Sequence, residues 1–91
     1  MNKLLHTPLT VHNVELANRL VMPPMAAGKA PDATVQDDLL AYYDARSKDG
    51  GIGHIVIEHA YISPEGKAHE DQLSVSRDTD IPGLTKLVET I

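Results

Sequence analysis

Short apolar runs alternate with polar segments rich in glycine and proline along the 91 residues of this chain. Leu9-Thr10-Val11 and Val14-Glu15-Leu16 each alternate apolar and polar positions, and His12-Asn13 separates them. This pattern predicts a β-hairpin with a two-residue turn, in which Asn13 occupies the position that tolerates a positive φ.

A short strand is predicted over Arg19-Leu20-Val21-Met22, which is mostly apolar. Pro23-Pro24 ends this strand, because proline has no backbone N–H to donate to a neighbouring strand. Residues 23 to 34 contain three prolines and Gly28, so we expect a loop there.

The next segment has the spacing of an amphipathic helix. Thr34-Val35-Gln36-Asp37 approximates a capping box, with aspartate in place of the usual glutamate, and Asp37 and Asp38 suit the first turn. Lys48 falls in the last turn, and Gly50-Gly51 is expected to end the helix. One helix face collects Val35, Leu39, Tyr42 and Arg46, and Leu40 and Tyr43 widen it.

A second main strand is predicted over His54-Ile55-Val56-Ile57-Glu58, whose apolar run is typical of a strand covered on both faces. Positions 54, 56 and 58 would face one side of this strand, and His59 would face the other. Tyr42 and Tyr43 of the preceding helix are expected to pack against the sheet with their hydroxyls at the surface.

The remainder of the chain combines a loop with a second helix. Residues 59 to 79 are mostly polar and predict a loop, with a turn at Ser63-Pro64-Glu65-Gly66. Asp80-Ile81-Pro82 starts a helix, because proline is accepted in the first turn. The apolar stripe of this helix consists of Leu84, Leu87, Val88 and Ile91.

The predicted order is hairpin, strand, helix, strand, helix. The two main strands should lie parallel and be joined by a right-handed crossover, which gives a βαβα unit of an α/β fold. Because the apolar stripe still runs at Ile91 and a two-stranded sheet has two open edges, we expect the chain to be the beginning of a larger protein. We also expect it to form a homo-oligomer or to associate through those edges.

Composition and charge exclude several classes of function. The formal net charge is −5, from 8 Lys and Arg against 13 Asp and Glu, so no nucleic-acid surface is predicted. The basic residues are scattered and no apolar run could span a bilayer, so no membrane partner is predicted either. There is no cysteine, which excludes disulfides and thiolate metal sites within these residues. A cytoplasmic protein is the expectation.

Ligands of α/β folds bind at the carboxyl ends of the strands, and two segments occupy that position here. The segment Met22-Pro23-Pro24-Met25-Ala26-Ala27-Gly28 follows the first main strand, and its prolines either merely end that strand or make the backbone a rigid surface for a flat ligand. Glu58 and His59 follow the second main strand, as a general acid–base pair or as a structural pair. Together with His54 they match no metalloprotease spacing, so no metal site is predicted.

The identities of the residues indicate a particular protein family, which their spacing alone does not. Asn18-Arg19-Leu20-Val21-Met22-Pro23-Pro24-Met25 resembles the opening strand of the old yellow enzyme family, the FMN-dependent NAD(P)H:flavin oxidoreductases and ene-reductases. Further motifs agree with that family in order and spacing, so the resemblance covers nearly the whole chain. They are Leu5-His6-Thr7-Pro8-Leu9, Ala41-Tyr42-Tyr43-Asp44-Ala45-Arg46, Gly51-Ile52-Gly53-His54-Ile55-Val56-Ile57-Glu58, Ser63-Pro64-Glu65-Gly66 and Ile81-Pro82-Gly83-Leu84.

The resemblance implies that residues 1–91 are the N-terminal portion of a (β/α)8 TIM barrel. They would supply the floor hairpin, the first strand and helix, the second strand and the start of the second helix of one FMN-binding domain, incomplete at its C-terminus. Such a barrel needs about 250 residues. The complete enzyme would transfer a hydride from NAD(P)H through FMN to a small electrophilic substrate such as an activated alkene. The family's proton donor lies on later strands, so no catalytic residue is assigned here.

The cofactor contacts of the family are carried over residue by residue. The resemblance implies that Pro23, Pro24, Met25 and Ala26 line the flavin ring through backbone atoms, and that the His59 backbone approaches the pyrimidine edge of the ring. Many relatives carry Cys or Thr at the position of Ala26, and these side chains hydrogen-bond the flavin. Alanine cannot do so, and His59 stands where a small residue is frequent, so the surroundings of the flavin would differ.

Two alternative interpretations stay open at this point. One is the start of a flavin-independent β/α-barrel enzyme for a phosphorylated substrate, and the other is a truncated association module without catalysis. A flavin absorption spectrum of the full-length protein would test the first alternative, and the reading frame beyond codon 91 would test the second.

Overall fold

The computed structural model describes residues 3–91, which form two α-helices and three strand pairs. The strands are β1 (Leu9–Val11), β2 (Val14–Leu16), β3 (Val21–Met22), β4 (His54–Ile55), β5 (Ala60–Tyr61) and β6 (Leu73–Ser74). The α-helices are α1 (Asp37–Ser47) and α2 (Ile81–Thr90), and short 3₁₀ helices lie at Lys3–His6, Pro31–Ala33, Lys48–Gly50, Pro64–Gly66 and Asp78–Asp80. Within residues 3–91, no helix has the length and apolar character that a membrane crossing requires.

The N-terminal hairpin is confirmed, with β1 and β2 antiparallel and Leu9 opposite Leu16. Val11 lies opposite Val14, so the turn consists of His12 and Asn13 as predicted. The positive φ of 51° is at His12, however, and the assignment of that conformation to Asn13 is wrong. Histidine is among the residues found more often than most in the left-handed region, so the first turn position accepts it.

The two main strands pair in parallel, as predicted, with Val21 opposite His54 and Met22 opposite Ile55. The Val56 N–H donates to the Met22 carbonyl at 3.0 Å and extends the pairing by one residue. Both strands are shorter than the predicted 19–22 and 54–58. The pairing stops before Glu58 because the Glu58 N–H donates to a side chain of α1 and not to a neighbouring strand.

The start of β4 passes very close to the segment that leads into β3. A Cβ atom added at Gly53 would lie 2.6 Å from the carbonyl oxygen of Asn18 and 2.7 Å from its side-chain oxygen. The same Asn18 side-chain oxygen accepts a hydrogen bond of 2.9 Å from the Leu20 N–H. Position 53 therefore requires glycine because two polypeptide segments approach there without room for a side chain.

A third strand pair lies in the segment that was predicted to be a loop. β5 and β6 are parallel, with Ala60 opposite Leu73 and Tyr61 opposite Ser74, so the loop prediction for residues 59–79 is wrong at these positions. Strands of two residues are too short to produce a measurable alternation of apolar and polar positions. The turn at residues 63–66 is present as the 3₁₀ helix Pro64–Gly66.

Helix α1 carries Asp37 and Asp38 in its first turn, as predicted, but it lacks the predicted capping box. The residue before the helix is Gln36, in extended conformation, and no side chain caps the helix. The Thr34 hydroxyl instead donates to the Pro31 carbonyl at 3.2 Å, so it is engaged in the preceding 3₁₀ turn. At the other end, α1 ends at Ser47, before the predicted Gly50-Gly51, and the 3₁₀ helix Lys48–Gly50 continues to these glycines, with Asp49 in the left-handed region (φ 70°).

The hydrophobic core lies where α1 and α2 meet the strands. Its buried members are Met22, Ala30, Leu39, Tyr43, Leu73 and Leu87. On α2 the predicted apolar stripe is only partly buried: Leu87 is 1% exposed, whereas Val88 is 74% exposed. Adjacent positions on a helix point about 100° apart, so only one of these two residues faces α1 and the strands.

Candidate functional site

The segment Pro23–Ala26, which we call the shelf segment, directly follows β3. All four residues are exposed, and no hydrogen bond within residues 3–91 engages their backbone N–H or C=O groups. Pro23 and Pro24 fix two of the four φ angles of the segment. The segment is thus an exposed piece of backbone whose C=O groups and whose Met25 and Ala26 N–H groups are not engaged within residues 3–91, which suits a flat ring with polar edges.

His59 lies beyond the carboxyl end of β4, three residues after the last hydrogen bond between β4 and β3. Because β3 and β4 are parallel, their carboxyl ends lie at the same edge of the sheet, and the shelf segment and His59 both continue from that edge. No hydrogen bond within residues 3–91 joins His59 to the shelf segment. The flavin contacts assigned to these five residues therefore stay a prediction.

Glu58 and Tyr43 form a buried hydrogen-bonded pair between the strand end and α1. The Glu58 N–H donates to the Tyr43 hydroxyl oxygen at 2.9 Å, and this hydroxyl donates to Glu58 Oε1 at 3.3 Å. The Tyr43 hydroxyl is therefore buried, and its expected surface position is wrong. Glu58 is 3% exposed while His54 and Val56 are exposed, so the expectation that the three share one face is wrong as well.

Burial governs the ionisation of this pair. Desolvation raises the pKa of the Glu58 carboxyl above its ordinary value, against the lowering effect of the hydrogen bond from Tyr43. Burial also raises the pKa of the Tyr43 hydroxyl to about 12, so the hydroxyl keeps its proton at neutral pH. Within residues 3–91, Glu58 Oε2 is buried and makes no hydrogen bond. Of the two interpretations of Glu58, the contacts favour the structural one.

His59 contacts His69, a residue that was not among the predicted site residues. Their Nε2 atoms are 3.1 Å apart, and both rings are exposed. The two residues are ten positions apart, and the pairing of β5 with β6 brings them together. No sequence pattern indicates this contact, because both residues lie in a segment without periodicity. Within the described part of the chain, no group of three or more acidic or histidine side chains is arranged to hold a metal ion.

A second polar cluster lies at the start of α2. The Asp80 carboxylate, 7% exposed, accepts a hydrogen bond of 2.7 Å from the Ser74 hydroxyl and one of 2.9 Å from the Arg77 guanidinium. A cleft of about 200 Å³ lies beside this cluster. Its lining residues belong to the 33–35 segment, to β6, to the 3₁₀ helix Asp78–Asp80 and to the start of α2, and none belongs to the shelf segment. The cluster therefore anchors α2 and is separate from the candidate site.

The chain is similar to a family of oxidoreductases over most of its length. The model of the NADH:flavin oxidoreductase / NADH oxidase family matches residues 4–91. An NADH:acrylate oxidoreductase from Vibrio harveyi is 42% identical over 79 residues, which is 86% of this chain and 8% of that protein. The chain thus spans less than a tenth of the length of this relative.

Solved structures give the same result. Morphinone reductase in complex with tetrahydroNAD is similar with a TM-score of 0.87 and 28% identity, over 98% of this chain and 24% of that one. The Old Yellow Enzyme from Pichia sp. AKU4542 is similar with a TM-score of 0.85 and 28% identity, over 96% of this chain and 22% of that one. The arrangement of residues 3–91 is therefore that of a quarter or less of each of these enzymes.

Proposed function

Because this chain belongs to the NADH:flavin oxidoreductase / NADH oxidase family, the family of the old yellow enzymes, we propose that it forms the N-terminal part of an FMN-dependent oxidoreductase. In this proposal residues 1–91 contribute the floor hairpin, the first two strands, the first helix and the start of the second helix to a (β/α)8 barrel. The chain covers 8% of the length of the Vibrio harveyi relative and 24% of morphinone reductase, which supports its assignment to part of a larger protein.

The observation that carries the proposal is the exposed, proline-stiffened shelf segment with its free backbone groups at the carboxyl end of β3. We propose that Pro23, Pro24, Met25 and Ala26 hold one face and edge of the flavin, and that His59 lies at its pyrimidine edge. The chemistry that FMN supplies when bound is hydride transfer from NADH or NADPH to an electrophilic acceptor such as an activated alkene. The shelf segment orients the ring and excludes water from one side of it.

Replacing Ala26 with tryptophan is the test of this site. The bulky ring would project from the shelf segment into the space assigned to the flavin, so we expect FMN affinity of the complete protein to fall about tenfold. Ala45→Trp is the matched control, because Ala45 is exposed and belongs to α1, not to the shelf segment. The measurement is titration of apoprotein with FMN, followed by flavin fluorescence, for both variants and the wild type.

Equal FMN affinities of Ala26→Trp and Ala45→Trp would contradict the assignment of the shelf segment to the flavin site. A complete protein that is colourless and cannot be reconstituted with FMN would favour the flavin-independent barrel enzyme instead. The cytoplasmic location stays a prediction.

We also propose that the 91-residue chain associates when it is produced by itself. Each strand pair has open edges, and large apolar side chains are exposed, Ile62 at 81% and Val88 at 74%. Size-exclusion chromatography with light scattering is expected to give a mass above the 9.9 kDa of one chain, with no retained FMN. A monomer that retains FMN would contradict this expectation.

A further inference from the structure

The backbone of residues 57–59, between β4 and β5, is not held by strand pairing. Ile57, Glu58 and His59 lie outside both strand pairs, between Ile55 at the end of β4 and Ala60 at the start of β5. The Glu58 N–H, which a neighbouring strand would otherwise bind, donates to the Tyr43 hydroxyl at 2.9 Å. The position of His59, the next residue, thus depends on a side chain of α1.

We propose that Tyr43 and Glu58 are positioning residues for the flavin site, which hold the backbone of His59 at the place where it meets the cofactor. This inference rests on the proposed function. A single hydroxyl binds Glu58 twice, through its backbone N–H and through Oε1 at 3.3 Å, so both the main chain and the side chain are fixed from one point. Such a double contact restrains a backbone segment more than either hydrogen bond alone.

The burial of the pair makes this restraint stiff. Tyr43 is fully buried within the core cluster, and its ring packs edge-on against Tyr42 with centroids 5.1 Å apart. The hydroxyl therefore cannot move without displacing core side chains. Because Glu58 Oε2 makes no hydrogen bond within residues 3–91, the Tyr43 hydroxyl is the contact that holds the carboxyl group in this part of the protein.

Tyr42 offers a matched control on the same helix. It is half-buried, and the Arg46 guanidinium lies over its ring at 3.7 Å. Within the described residues its hydroxyl makes no hydrogen bond, so Tyr42→Phe removes the same atom as Tyr43→Phe without touching the strand end.

The experiment compares FMN binding by the complete protein with those two substitutions. Tyr43→Phe is expected to raise the FMN dissociation constant about fivefold and to shift the backbone amide signal of His59 in the ¹⁵N spectrum of the apoprotein. Tyr42→Phe is expected to change the dissociation constant less than about twofold. Both are measured at a temperature well below the unfolding transition of each variant.

A merely structural role of Tyr43 would give a different result. In that case Tyr43→Phe would lower the melting temperature but leave the FMN dissociation constant and the His59 signal equal to those of Tyr42→Phe, which would overturn the proposal. If Tyr43→Phe does not fold, Glu58→Ala replaces it, with about a threefold loss of affinity expected and wild-type affinity overturning the proposal. Failure of the wild type itself to bind FMN would reject the proposed function together with this inference.

Discussion

Replacing Leu87 with alanine is expected to lower the free energy of unfolding by about 3 kcal/mol, because the substitution leaves a cavity in a close-packed core. Leu87 is 1% exposed and belongs to the cluster in which α1 and α2 meet, together with Leu39 and Tyr43. The measurement is urea denaturation of the complete protein, followed by circular dichroism.

The neighbouring residue provides the control for this substitution. Val88 also belongs to the apolar stripe of α2 in the sequence, but it is 74% exposed. Val88→Ala is therefore expected to change the free energy of unfolding by less than about 0.5 kcal/mol. Comparable losses for the two substitutions would mean that the whole stripe is buried in the complete protein.

Replacing Asp80 with alanine is expected to cost about 2 kcal/mol of stability at neutral pH, because the buried Ser74 hydroxyl and the Arg77 donors lose their acceptor. The Ser74 hydroxyl, the Arg77 backbone N–H and the Arg77 guanidinium all donate to this carboxylate, at 2.7, 3.1 and 2.9 Å. Asp78→Ala is the control, since Asp78 is exposed in the same turn, and denaturant unfolding measures both variants.

The loss caused by Asp80→Ala should depend on pH. Burial raises the pKa of Asp80, but the hydrogen bonds from Arg77 and Ser74 outweigh burial and hold the pKa below its ordinary 3.8. A carboxyl group with a lowered pKa in the folded state stabilises the protein fully above the unfolded value, and this contribution disappears as the pH falls through the folded value. The difference between wild type and Asp80→Ala should therefore shrink below about pH 4. A difference that stays constant down to pH 2 would show that the carboxylate charge is not involved.

The pattern of hydrophobic and polar positions was sufficient to predict the elements whose structure depends on neighbouring residues. The hairpin follows from two alternating triplets around His12-Asn13, and α2 follows from Pro82 and the spacing of Leu84 and Leu87. The parallel pairing of β3 with β4 follows from the helix between them. The predicted ends of α1 differ from the observed ones because Thr34 and Asp49 adopt conformations that depend on the neighbouring turns.

Contacts between residues far apart in the sequence could not be predicted from the pattern of hydrophobic and polar positions. The sequence pattern is equally consistent with an exposed Tyr43 hydroxyl and an exposed Glu58 carboxyl. Only the packing of α1 onto the strand end brings the two groups together. The pairing of β5 with β6, and with it the contact of His59 with His69, likewise depends on tertiary structure. For the candidate site, the order of the elements predicted its place at the carboxyl ends of the strands, and only the family resemblance assigned the shelf segment to a flavin.

The close approach of Gly53 to Asn18 has an evolutionary consequence. Any amino-acid substitution at position 53 adds at least a Cβ atom 2.6 Å from a backbone oxygen, a separation that real Cβ atoms essentially never show. Selection should therefore purge such substitutions even though position 53 lies at the opposite end of β4 from the proposed flavin site. An alignment of descendants of this gene should retain glycine there while the surrounding hydrophobic positions drift among Val, Ile and Leu.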